Sequence, residues 1–277
     1  MPDSPLTTRE QRDSYRKDGV VCLRGAFDPR WLAVACDAID QGLANPGPMF
    51  VDYSADTKPG TYCTDFWIWQ QVPAMRDFIF ESPAARIAGE LMDVPSVMLV
   101  TDNWLVRKAG AVNRAPWHHD APYFDLDGTW CVLWMALEPV ARGEGITVLK
   151  GSHTWNRHFM PESFAGTGPK ADPQGIYERT PDFSQPSEHG DRVDYTLQPG
   201  DCLVFDSHTV HGAPDAAPPQ RTIRRLTMRF ADGDAVYRRR GPWTRDMTDF
   251  LEAQHGLIEG GPYRCSLLPI LWERHHG

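Results

Sequence analysis

This chain has no Cys-x-x-Cys pair, no apolar run near the roughly 20 residues that cross a bilayer, and no excess of positive charge. Each absence removes a class. The six cysteines (Cys22, Cys36, Cys63, Cys131, Cys202 and Cys265) are scattered, most of them within apolar patterns where a thiol behaves as a small hydrophobe. Neither a disulfide framework nor a zinc site is therefore expected. The N-terminus shows no signal-peptide apolar core, so the expectation is a cytoplasmic chain with no membrane partner. With 28 Lys and Arg against 37 Asp and Glu, the net charge is −9, which argues against a nucleic-acid partner because duplex-binding surfaces are basic. Arg238-Arg239-Arg240 is the one dense basic run and reads as a solvated surface turn.

What is present suits a packed enzyme-sized domain. Of 277 residues, 41% are hydrophobic, while 24 prolines and 23 glycines favour many turns over a helical bundle. Helical signals dominate the first third. Thr7-Thr8-Arg9-Glu10 reads as a capping box, Asp28-Pro29 as a cap with a first-turn proline, and Ser82-Pro83 as a helix start. Val20–Leu23 reads as a strand, and residues 47–64 as loop. From Val97 the period changes to two. Segments 97–100, 104–106, 129–137, 146–149, 195–197, 202–205 and 222–230 read as strands separated by turns such as Asp127-Gly128 and Pro199-Gly200-Asp201. Many strands without long intervening helices predict an antiparallel jelly roll with flanking helices. A single domain over residues 1–277 is expected, with its β core at about 97–237 and a variable insertion or lid at 154–194.

His118-His119-Asp120 carries the chemistry. On a strand, side chains two apart share a face, so His118 and Asp120 converge while His119 points away. His211, in Thr209-Val210-His211-Gly212, is the candidate third arm, with His208 as its rival at an odd spacing. The small residues after His211 let the backbone approach a crowded centre. Two histidines and a carboxylate on one face leave three metal positions open, the arrangement of non-haem iron(II) oxygenases. Taken singly, each histidine has a bland alternative as a hydrogen-bonded structural residue. His153, in Gly-Ser-His, reads as a turn-pinning residue.

Oxygenases that consume 2-oxoglutarate need a cation for its distal carboxylate, and guanidinium suits a bidentate grip. Arg221, Arg224, Arg225 and Arg229 lie on or before the strand following His211. Arg225 and Thr227, two apart, can both face the interior. Asn103 is a further candidate from a neighbouring strand. Trp67, Trp69, Trp104, Tyr123, Phe124 and Trp243 are candidates for an apolar substrate wall, or plain core.

In order, Trp117-His118-His119-Asp120-Ala121-Pro122-Tyr123-Phe124, Gly151-Ser152-His153, Pro199-Gly200-Asp201 and His211-Gly212-Ala213-Pro214 resemble the phytanoyl-CoA dioxygenase family of Fe(II)/2-oxoglutarate oxygenases. Val106–Gly110 and Arg229–Asp234 are similar to family segments too, and the similarity runs from about Thr8 to about Tyr237. The resemblance implies a double-stranded β-helix, with iron held by His118, Asp120 and His211. It also implies 2-oxoglutarate and O₂ as cosubstrates, succinate and CO₂ as products, and oxidation of a C–H bond in a small organic molecule. Relatives that halogenate lack the carboxylate; Asp120 is retained here, which favours hydroxylation or a related desaturation or cyclisation. One departure stands out: the family's cosubstrate arginine falls near Ile223, so Arg225 is favoured, with Arg221 second. The competing readings are a non-catalytic, cupin-like metal sensor and a nucleic-acid demethylase, the latter disfavoured by charge.

Overall fold

Local signals set the helical layer. In the computed structural model, which describes residues 4–170, 172–184 and 190–274, the capping box sits one residue later than expected. The Thr8 hydroxyl accepts from the Gln11 amide, and the Gln11 side chain accepts from the Thr8 amide, opening α1 (Arg9–Asp18). Gly19, at φ 72°, closes that helix in the left-handed conformation that glycine adopts without strain. Asp28 caps α2 (Pro29–Ala44) by accepting from the Trp31 amide. Helix α3 (Pro73–Glu81) was not anticipated, although Pro73 begins it and Ala74, Met75, Phe78 and Ile79 form its buried side. α4 (Ala84–Met92) follows Ser82-Pro83 as expected, and α5 (Arg245–His255) lies near the C-terminal end.

The strands are β1 (Val20–Leu23), β2 (Val51–Asp52), β3 (Tyr62–Phe66), β4 (Ser96–Arg107), β5 (Leu126–Asp127), β6 (Trp130–Ala136) and β7 (Thr147–Leu149). They continue with β8 (Arg192–Asp194), β9 (Cys202–Asp206), β10 (His211–Gly212), β11 (Ile223–Asp232), β12 (Val236–Tyr237) and β13 (Ile270–Glu273). Three differences from the sequence reading stand out, two of them with a cause in burial. β2 and β3 occupy part of the expected 47–64 loop; almost every residue of β3 is buried, so no in–out alternation marks it. β4 is one strand rather than two, because its polar centre, Thr101-Asp102-Asn103, is buried within the sheet. β8 stands at 192–194 instead of 195–197, while Leu197 makes a lone antiparallel bridge to Val140.

A large antiparallel sheet runs β1-β9-β6-β11-β4-β3-β2, with β13 beside β4; a small sheet runs β10-β7-β8. α4 packs on β4, β6 and β11, and α2 reaches β11, so the helices cover one face of the large sheet. The other face looks toward the small sheet, giving a mainly antiparallel, jelly-roll architecture with the cavity between the layers. Outside the small sheet, Trp117, Leu149, Phe159, Phe183 and Val210 form a second apolar cluster. Phe159 and Phe183 come from the 154–194 insertion, of which residues 171 and 185–189 lie outside the described residues. Among the described residues no helix is long and apolar enough to cross a membrane.

Asp102 is an unusual core residue. Its Oδ2 accepts from the Trp69 amide at 3.1 Å, but its Oδ1 is buried without a donor. Burial raises its carboxyl to about 7, against the opposing pull of backbone hydrogen bonds. A carboxyl with a raised folded-state value stabilises fully below its unfolded value near 4 and loses that contribution as pH rises toward neutrality. Asp102→Asn, which mimics the protonated group, is expected to raise the thermal midpoint at pH 8 and leave it nearly unchanged at pH 4.5. Thermal melts across that range check this.

Candidate metal centre

The expected strand at 118–120 is only partly present, yet its side chains still converge. His118 forms a single antiparallel bridge with His211, the amide of each donating to the carbonyl of the other at 2.9 and 2.8 Å. Asp120 leaves extended geometry (φ −77°, ψ −25°) and begins a 3₁₀ turn, Ala121–Tyr123. The bridge needs Gly212: a Cβ there would lie 2.6 Å from the Pro116 carbonyl oxygen and 3.0 Å from the Trp117 amide nitrogen.

Asp120 Oδ1 stands 3.4 Å from His118 Nε2 and 3.7 Å from His211 Nε2, and all three side chains are buried. His118 Nδ1 lies 2.8 Å from the Pro116 carbonyl and His211 Nδ1 lies 2.9 Å from the Thr209 carbonyl. A carbonyl only accepts, so each Nδ1 carries a proton and each Nε2 is turned to the shared point as the nitrogen available to a metal. Burial holds His211 down at about 3, in the neutral form a metal ligand needs. For Asp120, burial pushes the carboxyl up, but the charge of the Arg229 guanidinium opposes it and the group is held below the usual carboxylate range. Two imidazole nitrogens and one carboxylate oxygen suit a ferrous ion with positions left for other ligands.

Arg229 fixes the carboxylate. Its Nε donates to Asp120 Oδ2 at 2.7 Å and its Nη1 to Asn103 Oδ1 at 3.3 Å. Asp120 therefore has one oxygen bound by Arg229 and the other facing the imidazoles. Asn103, expected on the cosubstrate, is outside the cavity lining. Its amide nitrogen is used by the Thr64 hydroxyl and the Asp65 and Trp104 carbonyls, and its oxygen supports Arg229. Sequence reasoning named Arg229 without this role. The signal was parity: Ile223, Arg225, Thr227 and Arg229 share one strand face, and all four line the cavity.

Arg225 is buried, stacked 5.1 Å from the Trp134 ring centroid, and pairs with Glu138 at 3.3 Å. Burial lowers it to about 10, which leaves it protonated at neutral pH. Its Nη2 and the neighbouring Thr227 hydroxyl are buried with no partner among the described residues. Arg221 does not reach the cavity; it is exposed and bonded to Glu144 at 3.2 Å and to the Pro139 carbonyl at 2.7 Å. Arg224 is paired with Glu138 and Asp40.

The rival histidines stand elsewhere. His119 faces away and accepts from the Phe159 amide at 3.0 Å. His208 packs against His119 and His158 and lines a separate cavity. His153 lies 3.2 Å from the Arg16 carbonyl, a structural contact. None of the six aromatics suggested for a substrate wall lines the metal cavity, which instead uses Tyr62, Trp134, Phe164 and Phe205. Phe164 comes from the insertion, its ring centroid 4.9 Å from that of His118. Tyr123 holds that segment down: its hydroxyl donates to the Glu162 carbonyl at 2.9 Å and accepts from the Glu162 amide at 2.8 Å.

The family profile for phytanoyl-CoA dioxygenase (PhyH) matches residues 15–223. The chain belongs to this family. As a PhyH-family member it is a non-haem Fe(II)/2-oxoglutarate-dependent enzyme. A comparison with curated protein sequences gives no match. Among solved structures it is similar to the non-haem alpha-ketoglutarate-dependent epimerase SnoN from nogalamycin biosynthesis, with a TM-score of 0.75 and 24% identity over 95% of this chain and 98% of that one. The carbocyclase SnoK from the same biosynthesis gives a TM-score of 0.76 and 20% identity over 97% and 99%. EctD from S. alaskensis, solved with 2-oxoglutarate and 5-hydroxyectoine, gives 0.65 and 16% over 95% and 87%. These likenesses support the fold.

Two substitutions probe the PhyH-family centre. Gly212→Ala is expected to separate the His118–His211 bridge and weaken Zn(II) binding by about tenfold or more, because metal sites tolerate little displacement of their ligands. Arg229→Met is expected to cost about 10–100-fold in the same affinity, with Arg229→Lys recovering part of the loss. Chelator-competition titration measures both.

Proposed function

We propose that the protein hydroxylates, or otherwise oxidises, an unactivated C–H bond of a small organic metabolite or acyl derivative, with release of succinate and CO₂. One observation carries the reading: the His118, Asp120 and His211 donors share a cavity with two buried, unpartnered donors, Arg225 Nη2 and the Thr227 hydroxyl. When bound, iron with 2-oxoglutarate and O₂ supplies the oxidant that removes hydrogen from carbon.

The chain's residues supply position and environment. Arg225 and Thr227 would hold the distal carboxylate of 2-oxoglutarate, satisfying donors otherwise stranded at a cost of about 1–3 kcal/mol each. Glu138 and Trp134 keep that guanidinium in place. Asp120, aligned by Arg229, would occupy a metal position otherwise open to another anion, which favours oxygenation over halogenation. Phe164, Phe205 and Trp134 make the walls apolar, restricting water around the reacting carbon. The similarity to an epimerase and a carbocyclase supports a second outcome, inversion or ring closure after the same hydrogen removal.

A small-molecule partner fits better than nucleic acid. Arg238 and Arg240 share Asp127, at 3.5 and 2.7 Å, and Arg239 pairs with Glu252 at 2.6 Å, so the one basic run is already engaged by acids of the same chain. The six free thiols suit a reducing, cytoplasmic compartment. Residues 154–194, which reach the cavity through Phe164, would select the substrate.

Anaerobic Fe(II) with 2-oxoglutarate should give a visible charge-transfer band that Asp120→Ala abolishes, whereas a protein that binds metal alone shows no band. Arg225→Gln is expected to keep Zn(II) affinity but weaken 2-oxoglutarate binding by about 10–100-fold, as expected for loss of a charge-assisted bond. Calorimetric titration reads the second effect.

A further inference from the structure

The cavity holds another arginine whose charge is unmatched. Arg107 ends β4, lines the cavity, and pairs in register with Ile223 on β11 and Tyr62 on β3. Its guanidinium lies 5.7 Å from the Tyr62 ring centroid, and its Nη2 donates to the Ala111 carbonyl at 3.2 Å. Its Nε is buried with no acceptor. Among the described residues no carboxylate forms an ion pair with it, whereas Arg229 has Asp120, Arg225 has Glu138, and the cavity's Glu144 is paired with Arg221. A partly buried cation without a counter-ion is costly unless an anion arrives with the ligand. Arg107 is also set apart along the strand from the arginine that holds Asp120. Its partner Ile223 is six residues along β11 from Arg229, about 20 Å of strand, with Arg225 and Thr227 between them. Phe164, Phe205 and Trp134 line the same cavity as apolar wall.

We propose that Arg107 binds an anionic group of the primary substrate. The enzyme then acts on an organic carboxylate or phosphate monoester with an apolar body, its charge held at the end of the cavity away from the carbon that is oxidised. This rests on Arg225 and Thr227 serving the cosubstrate.

The test uses Zn(II)-loaded protein saturated with 2-oxoglutarate, with octanoate, octyl phosphate and methyl octanoate as probes and the thermal midpoint and calorimetric affinity as readouts. At least one anion is expected to bind while the neutral ester does not; which anion binds more tightly separates a carboxylate from a phosphate source. Arg107→Gln is expected to lower that anion's affinity by about tenfold or more, and Arg107→Lys to retain most of it, as for loss or retention of a charge-assisted contact. Both variants should bind 2-oxoglutarate within about twofold of the parent protein, the range of a site left intact. The proposal is overturned if neither anion binds, if the ester binds as well as the anions, or if Arg107→Gln weakens 2-oxoglutarate as much as Arg225→Gln does. Failure of the unaltered protein to bind 2-oxoglutarate would instead remove the cosubstrate reading itself.

Discussion

The site depends on one short piece of backbone pairing. His118 and His211 come from distant stretches of chain, and two reciprocal amide–carbonyl bonds bring their rings to a centroid separation of 4.2 Å. Their protonated Nδ1 atoms are tied to carbonyls two residues back, so ring orientation follows from main-chain geometry rather than from packing alone. Asp120 is fixed from across the cavity, by an arginine on the large sheet. The centre is thus a joint between two layers: the small-sheet side supplies the imidazoles, and the large sheet supplies the group that aims the carboxylate.

Buried charge is treated in three ways in the same interior. Asp120 and Arg229 neutralise each other at 2.7 Å, which keeps the carboxylate ionised despite complete burial. Arg225 keeps its charge through Glu138 but leaves one nitrogen without a partner. Asp102, with no cation beside it among the described residues, is pushed toward the neutral form by burial. A carboxylate held ionised lies in the cavity, while the one driven toward neutrality lies in the core.

The family, the fold class and the meeting of His118, Asp120 and His211 were legible because each leaves a local mark: a strand-like spacing, turn residues, and a small residue after the second histidine. What was not legible depended on reach and on two-sided burial. Asn103 and Arg225 lie on the same sheet face, yet one is consumed by Arg229 and Thr64 while the other retains an unfilled donor. Arg221 has the right parity, but Glu144 draws it outward. β3 and the centre of β4 escaped because residues buried on both faces lose the alternation that marks a half-exposed strand. The loss of extended geometry at Asp120 was also invisible, since the residue pattern is the same either way.

The Tyr123 clasp has an evolutionary corollary. Among the described residues its hydroxyl bonds to the main-chain atoms of Glu162, one as donor and one as acceptor, and neither bond involves the glutamate side chain. A tether that recognises backbone is indifferent to the identity of the residue it holds. The segment beside the reactive centre can therefore accumulate changes, and with them new preferences, without coming unfastened.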